Sequence, residues 1–448
     1  MSTPVWGQAG PANPQQVEAN KLPGDPDEPV KKPNLAERNN ITPKPLMTLQ
    51  QEKENAKLRK FDYSSALRSQ NPSKADEDII RAGVRDRVYR MTIPENWANI
   101  ANLRRDLVED IDNDRFAGDS RPRTRLIALT AAVKLLNELL GDQPEFVKLN
   151  AVLLLGDLNE KSANLRDNLP ATPYAPAAEP LLQAVQASDQ PTVVKVVAVR
   201  GLARILRDGN PPRAVRDQVA SVLVGELRDS FGKSLPEGET WYQWRLVDAL
   251  GMIGEPRTAI QQPLAVDALW EAMLNENLQP HVRTHAARAL SQIDLDGQFN
   301  VGLLAHEIVR LCGTLTAQFN EKPQLDYWRE CFTDLYFAFK PQFPDEVKRG
   351  WGLNQQIGDA SLRSHAALVD GAYAEVLKMV NGVMENDPPR PVAGATLQEA
   401  VEWLRSNSPT DQKLHPQAKT VEAIQKAHAR PADKNTAVSQ KTDPGSGA

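Results

Sequence analysis

The chain is short of the residues that usually announce a chemistry. Its two cysteines, Cys312 and Cys331, are too few for a disulfide scaffold and stand in no metal-ligand spacing. No Gly-x-Ser-x-Gly elbow, Walker loop or Gly-x-Gly-x-x-Gly turn occurs, which removes the common hydrolase, nucleotidase and dinucleotide-binding signatures. No apolar run approaches the ~20 residues that a membrane span needs. The N-terminus lacks the basic segment and apolar core of a secretory signal. Val5-Trp-Gly-Gln-Ala9 reads as the remnant of a cleavage site only if the true start lies upstream. The expected location is therefore cytoplasmic, or exported should such a signal precede this chain.

Excess positive charge is lacking too. The net charge is -5. Residues 1–72 and 405–448 carry +2 and +3, so the stretch between them carries -10. A general polyanion binder shows the opposite balance. The terminal stretches are rich in proline and poor in apolar periodicity, and cannot bury enough surface to offset their ordering entropy. Both 1–72 and 407–448 are expected to be disordered tails.

Between them the chain reads as helices. Ser73 with Asp76 forms a capping-box pattern before a face of Ile80, Val84, Val88 and Met91. Thr92 with Glu95 repeats the pattern before Ile100, Leu103, Leu107 and Ile111, and residues 73–119 are read as a helical cap. From Asp142 a unit can be counted. Asp142-Gln-Pro-Glu-Phe-Val-Lys148 returns as Asp189-Gln-Pro-Thr-Val-Val-Lys195, each followed by an Ala- and Leu-rich helix. A template Val-Arg-x-x-Ala-Ala-x-Ala-Leu-Gly-x-Leu fits segments starting at Val147, Val194, Tyr242 and Val282, with a degenerate copy at Tyr327. Further apolar helices, at about 213–228, 258–274 and 301–318, fall between them.

The spacing, the two helices per unit and the small residues in the second helix are similar to HEAT repeats, over residues 120–385. The resemblance implies an all-α fold: a right-handed α-solenoid of about five helical hairpins, closed by the cap and by a last helix within 386–406. Thr396 and Glu399 are expected to cap that last helix. The resemblance also implies a ladder in which an acid in the inter-helix turn bonds a base six positions on, Asp142 with Lys148 and Asp189 with Lys195. Ala151, Ala198, Ala286 and Cys331 share one template position, where a larger side chain would push paired helices apart.

Chemistry-bearing groups are sparse. His281 and His285 have zinc-ligand spacing, but Val282 stands where a metalloprotease has glutamate, and no third ligand suggests itself. His306-Glu307 is one His-Glu pair, where HEAT-like di-iron hydroxylases have several. Neither metal nor cofactor is expected. Cys312 and Cys331 could pack close across two helices, as buried thiols or as a disulfide.

In such arrays the second helices line a concave groove at template positions four, seven and eleven. Those positions gather Arg200, Arg204, Arg245, Asp248, His285 and Arg288, with Trp244 at the border. Guanidinium groups beside an aromatic suit carboxylates, phosphates or an acidic peptide. The expected function is a non-enzymatic scaffold that holds a protein partner, by an acidic segment, in this groove, with no small-molecule substrate. The alternative is an anion or nucleic-acid binder. At its extreme it resembles the HEAT-like DNA glycosylases, with Asp248 stabilising charge on the sugar and Trp244 packing on the nucleotide.

Overall fold

A computed structural model describes residues 41–429, except 114, 165, 168, 234–236 and 386. Among the described residues the fold is predominantly helical, with one two-stranded antiparallel ribbon, Asn159–Lys161 and Thr172–Pro173. Among the described residues no helix is long and apolar enough to cross a membrane.

The first ordered piece is α1 (Leu49–Glu54), followed by a π-helical turn, Leu58–Tyr63, and a short turn, Ser64–Leu67. Thr48 and Gln51 close a capping box at the start of α1. Residues 41–72 were expected to be disordered; from 41 onward they are packed. Tyr63 and Leu67 are fully buried, and Arg90 holds Glu52 at 2.6 Å while Arg59 holds Asp86 at 2.9 Å. Few apolar residues suffice here because long-range ion pairs pin the segment. The earlier part of that tail lies outside the described residues.

The cap follows as α2 (Lys74–Tyr89) and α3 (Ile100–Asp112). The box of Ser73 and Asp76 forms, and both apolar faces are buried. The second box does not. The Thr92 hydroxyl donates to Tyr89 O at 2.7 Å and accepts from Leu46 N at 2.9 Å, so 3-10 turns precede α3.

Ten helices then alternate: α4 (Pro122–Glu138), α5 (Glu145–Asp157), α6 (Ala178–Gln186), α7 (Thr192–Asp208), α8 (Arg213–Asp229), α9 (Glu237–Gly251), α10 (Leu264–Leu274), α11 (Pro280–Leu290), α12 (Val301–Glu321) and α13 (Tyr327–Phe337). Each odd-numbered helix packs on the even one before it, and α5, α7, α9, α11 and α13 pack in succession, with α14 (Ala366–Met384) continuing the row. The helices α6, α8 and α10 make a second row. Ala151, Ala198, Ala286 and Cys331 are fully buried. The helices α5 and α7 approach closely, and a Cβ on Gly156 would lie 3.2 Å from the Cα of Gly201.

The expected acid–base ladder is not formed. Asp142 pairs with Lys44 and Lys195 with Glu226 at 3.5 Å. The template position of Lys195 instead serves later units by closing helix ends. Gln243 donates to Ser230 O, Arg283 to Met273 O and the Trp328 indole to Lys322 O, each satisfying a carbonyl that a helix C-terminus leaves open.

The helix expected to close the array at its C-terminal end is α15 (Gly394–Ser406), which packs on α12 and α14. It starts after Ala393 with no side-chain cap, ahead of the expected Thr396, and Glu399 pairs with Lys378 at 2.8 Å. Residues 407–429, expected to be disordered, run back along the second row and end in α16 (Val421–His428), which packs on α10. His415 bonds Asp267 at 2.7 Å, Lys419 reaches Glu271 at 3.2 Å, and Leu414, Val421 and Ile424 are buried. Residues 430–448 lie outside the described residues. Both cysteines are free and buried.

Candidate functional site

Five of the seven groove residues form one connected cluster on α9 and α11. The Trp244 ring stacks on His285, centroids 4.3 Å apart and planes 29° apart. Arg245 lies over the outer part of the cluster, its guanidinium carbon 4.6 Å from the Trp244 ring centre and its Nη1 3.7 Å from Asp248. Below, His285 Nε2 is 3.3 Å from Asp248 and Nδ1 is 3.0 Å from Asp334. Arg288 joins the same Asp334 at 3.1 Å and Glu346 at 3.2 Å, and covers the Phe337 ring at 5.0 Å.

This arrangement is a buried ion network. Burial pulls the His285 imidazole down, but the charge of Asp334 and the hydrogen bonds to Asp248 and Asp334 outweigh it and push the group up to about 9. Burial likewise works to raise the Asp248 carboxyl, and His285, Arg245 and Arg288 together hold it below its ordinary range. Both imidazole nitrogens are therefore committed to carboxylates, which leaves the His281 and His285 spacing without the free ring nitrogen a metal needs. Asp248, the residue a glycosylase resemblance would place at a sugar, is held by His285 and Arg245. His306 likewise spends its ring on Glu307 at 3.3 Å and on Leu404 O at 3.2 Å.

The other two residues stand apart on α7. Arg204 donates to Gly156 O at 2.7 Å and to the Asn159 side chain. Burial lowers its pKa, opposed chiefly by Asp157. Arg200 is exposed, with no ion-pair partner among the described residues, and Arg245 and Asp157 are within electrostatic reach.

Sequence reasoning missed four contributors. Trp241 is half exposed and meets Trp244 edge-on at 5.8 Å. Its spacing from Arg245 and Asp248 (i, i+4, i+7) would have placed it on the same helix face. Asp334 sits one template position beyond those counted for the groove. Arg104 and Arg105 come from α3, outside the counted repeat, and no spacing signal relates them to α7. A separate cavity of about 920 Å³ lies between α8, α10 and the C-terminal segment. Its carboxylate Glu271 is already held by Arg228 at 2.8 Å and Lys419 at 3.2 Å.

Compared with protein-family models, curated proteins and solved structures, the chain matches none of them.

Proposed function

We propose that the chain is a HEAT-like α-solenoid of about five hairpins, and that it acts as a non-enzymatic scaffold taking an acidic segment of a protein partner on the face of α7 and α9. The order of helix packing, each second helix on the next, supports the solenoid reading. One observation carries the binding reading. Exposed Trp241, Trp244 and the Arg245 stacked on it stand beside an Arg200 that has no ion-pair partner among the described residues. Aromatic and arginine side chains of this kind are the usual centres of binding energy at interfaces. The ion network beneath fixes Trp244 and Arg245 in place, so a partner meets a preformed surface and ordering costs less.

The test is titration of the full chain with a fluorescent oligo-glutamate peptide, followed by anisotropy, beside the double variant Arg200→Ala, Arg245→Ala. The wild type should bind, and the variant should bind about tenfold more weakly, a difference of roughly 1.4 kcal/mol. Equal affinity of the two proteins, or no binding by the wild type, would remove the reading.

A further inference from the structure

The α3 end of this face carries a cluster that an acidic peptide alone does not use up. Arg104 and Arg105 from α3, Asp157 and Asn159 at the end of α5, and Arg204 from α7 line an open cavity of about 460 Å³. Arg200 lies one helical turn before Arg204 on α7, within electrostatic reach of Asp157. The α5–α7 approach at Gly156 and Gly201 brings the end of one helix against the face of the other. Arg204 is fixed by buried groups. Asn159, which accepts its hydrogen bond, is itself held by Asp112 at 2.6 Å, and its carbonyl accepts from Arg125 at 2.9 Å. Two of the five N–H groups of Arg204 are spent in these contacts, which leaves three.

Arg104 and Arg105 are less committed. Arg105 donates to Asn102 at 2.7 Å, and neither has an ion-pair partner among the described residues. The Nε of Arg104 is shut off from solvent and has no hydrogen-bond partner among those residues. Three guanidinium groups, those of Arg104, Arg105 and Arg204, thus share the cavity with the Asp157 carboxylate, and Arg200 stands within electrostatic reach of it, in a stretch of chain that is otherwise acidic. A glutamate side chain would neutralise one of them. A phosphate monoester carries close to two negative charges at neutral pH and three acceptor oxygens, which guanidinium forks bind in pairs.

We infer that the α3 end of the face is a cradle for a phosphoryl group, and that the partner segment binds there through a phosphorylated serine or threonine. The inference rests on the acidic-segment reading. It makes the partner's phosphorylation the switch for binding. A nucleic acid offers the same phosphate chemistry but needs cations spread along a track, and these are gathered in one place.

The experiment uses the full chain and three labelled peptides of one acidic sequence, with serine, glutamate or phosphoserine at the centre. The phosphoserine peptide should bind about tenfold tighter than the serine peptide and clearly tighter than the glutamate one. Arg104→Ala with Arg105→Ala should remove most of that gain, so that the phosphoserine peptide loses far more affinity than the serine peptide and the two bind nearly alike. Arg104→Lys with Arg105→Lys, which keeps charge and stem but loses the planar fork, should retain only part of it. Equal binding of the glutamate and phosphoserine peptides would overturn the cradle and leave the acidic-segment reading standing. Binding of none of the three would defeat both. Tighter binding of a single-stranded RNA than of the phosphopeptide would overturn the cradle in favour of nucleic acid.

Discussion

Replacing His285 by glutamine should abolish a pH dependence of stability that the wild type owes to one buried proton. The His285 side chain is 5% exposed and lies between Asp248 and Asp334. Its pKa rises from 6.5 to about 9 on folding. Below about pH 6.5 the imidazole is protonated in both states and the whole stabilisation is present. Above that pH the unfolded chain releases the proton while the native chain keeps it. Stability then falls by about 1.4 kcal/mol per pH unit until the native imidazole also titrates. The rise from 6.5 to about 9 makes the total loss about 3 kcal/mol. The measurement is urea unfolding of wild type and His285→Gln between pH 6 and pH 10, followed by tryptophan emission. Other titrating groups act alike on both proteins, so the stability gap between them is the quantity to read. It should narrow by about 3 kcal/mol across that range. A gap that stays constant with pH would refute the reasoning, because it would mean that the imidazole is neutral in the fold. A proton-NMR titration placing the His285 ring near 6.5 would do the same.

Four further outcomes follow from packing and burial. Ile424 is 2% exposed under the C-terminal segment, so Ile424→Ala should destabilise by about 2–4 kcal/mol, whereas a solvated tail would show a change near zero. A Cβ on Gly251 would stand 3.0 Å from the Ala289 Cα and 2.6 Å from the Gln292 side-chain oxygen, so Gly251→Ala should cost about 1–3 kcal/mol in thermal or urea unfolding. Gly225 sits inside α8 with nothing near its missing Cβ, so Gly225→Ala should instead stabilise by up to about 1 kcal/mol, and the same sign at both positions would contradict the packing. Burial pushes both thiols up, Cys331 to about 12, so neither should react with a disulfide reagent at pH 8 until the protein is unfolded.

The helices were legible because their apolar periodicity is strong and local. The template starts at Val147, Val194, Tyr242, Val282 and Tyr327 all fall within or at the start of α5, α7, α9, α11 and α13. The helix expected at 258–274 begins only at Leu264, because Thr258 N bonds Gln262 O in a turn that takes Gln261 to φ 63. The terminal segments were illegible for a different reason. Residues 41–67 and 411–428 bury few apolar side chains each, and ion pairs to residues distant in sequence hold them, Glu52 with Arg90 and Glu271 with Lys419. Such pairs leave no period to read. For the site, the face of α9 was legible and the fate of each charge was not. Arg200 and Arg288 hold the same template position, yet one is open and the other closed.

That difference has a cause in the chain after α13. Residues 338–357 turn back across the ends of the row: Gly352 N bonds Ser291 O at 2.9 Å, and Gln356 bonds Ser291 O and Ile293 O. The turn requires Gly352, at φ 88, where a Cβ would lie 2.8 Å from Phe339 O. It brings Glu346 to Arg288, and carries Arg349 to the Arg207 carbonyl at 2.7 Å and to Asp208 at 3.1 Å. The loop therefore closes the charges of α11 and the C-terminal end of α7, and Arg200, on the turns before, has no such cover. The open stretch of the face runs from α3 to α9, with uncommitted arginines at one end and the Trp241–Trp244 pair at the other. A ligand that uses both ends must carry negative charge at one of its ends and apolar or aromatic surface at the other. A peptide segment can combine the two within a few residues, and a free inorganic anion can engage only the arginine end.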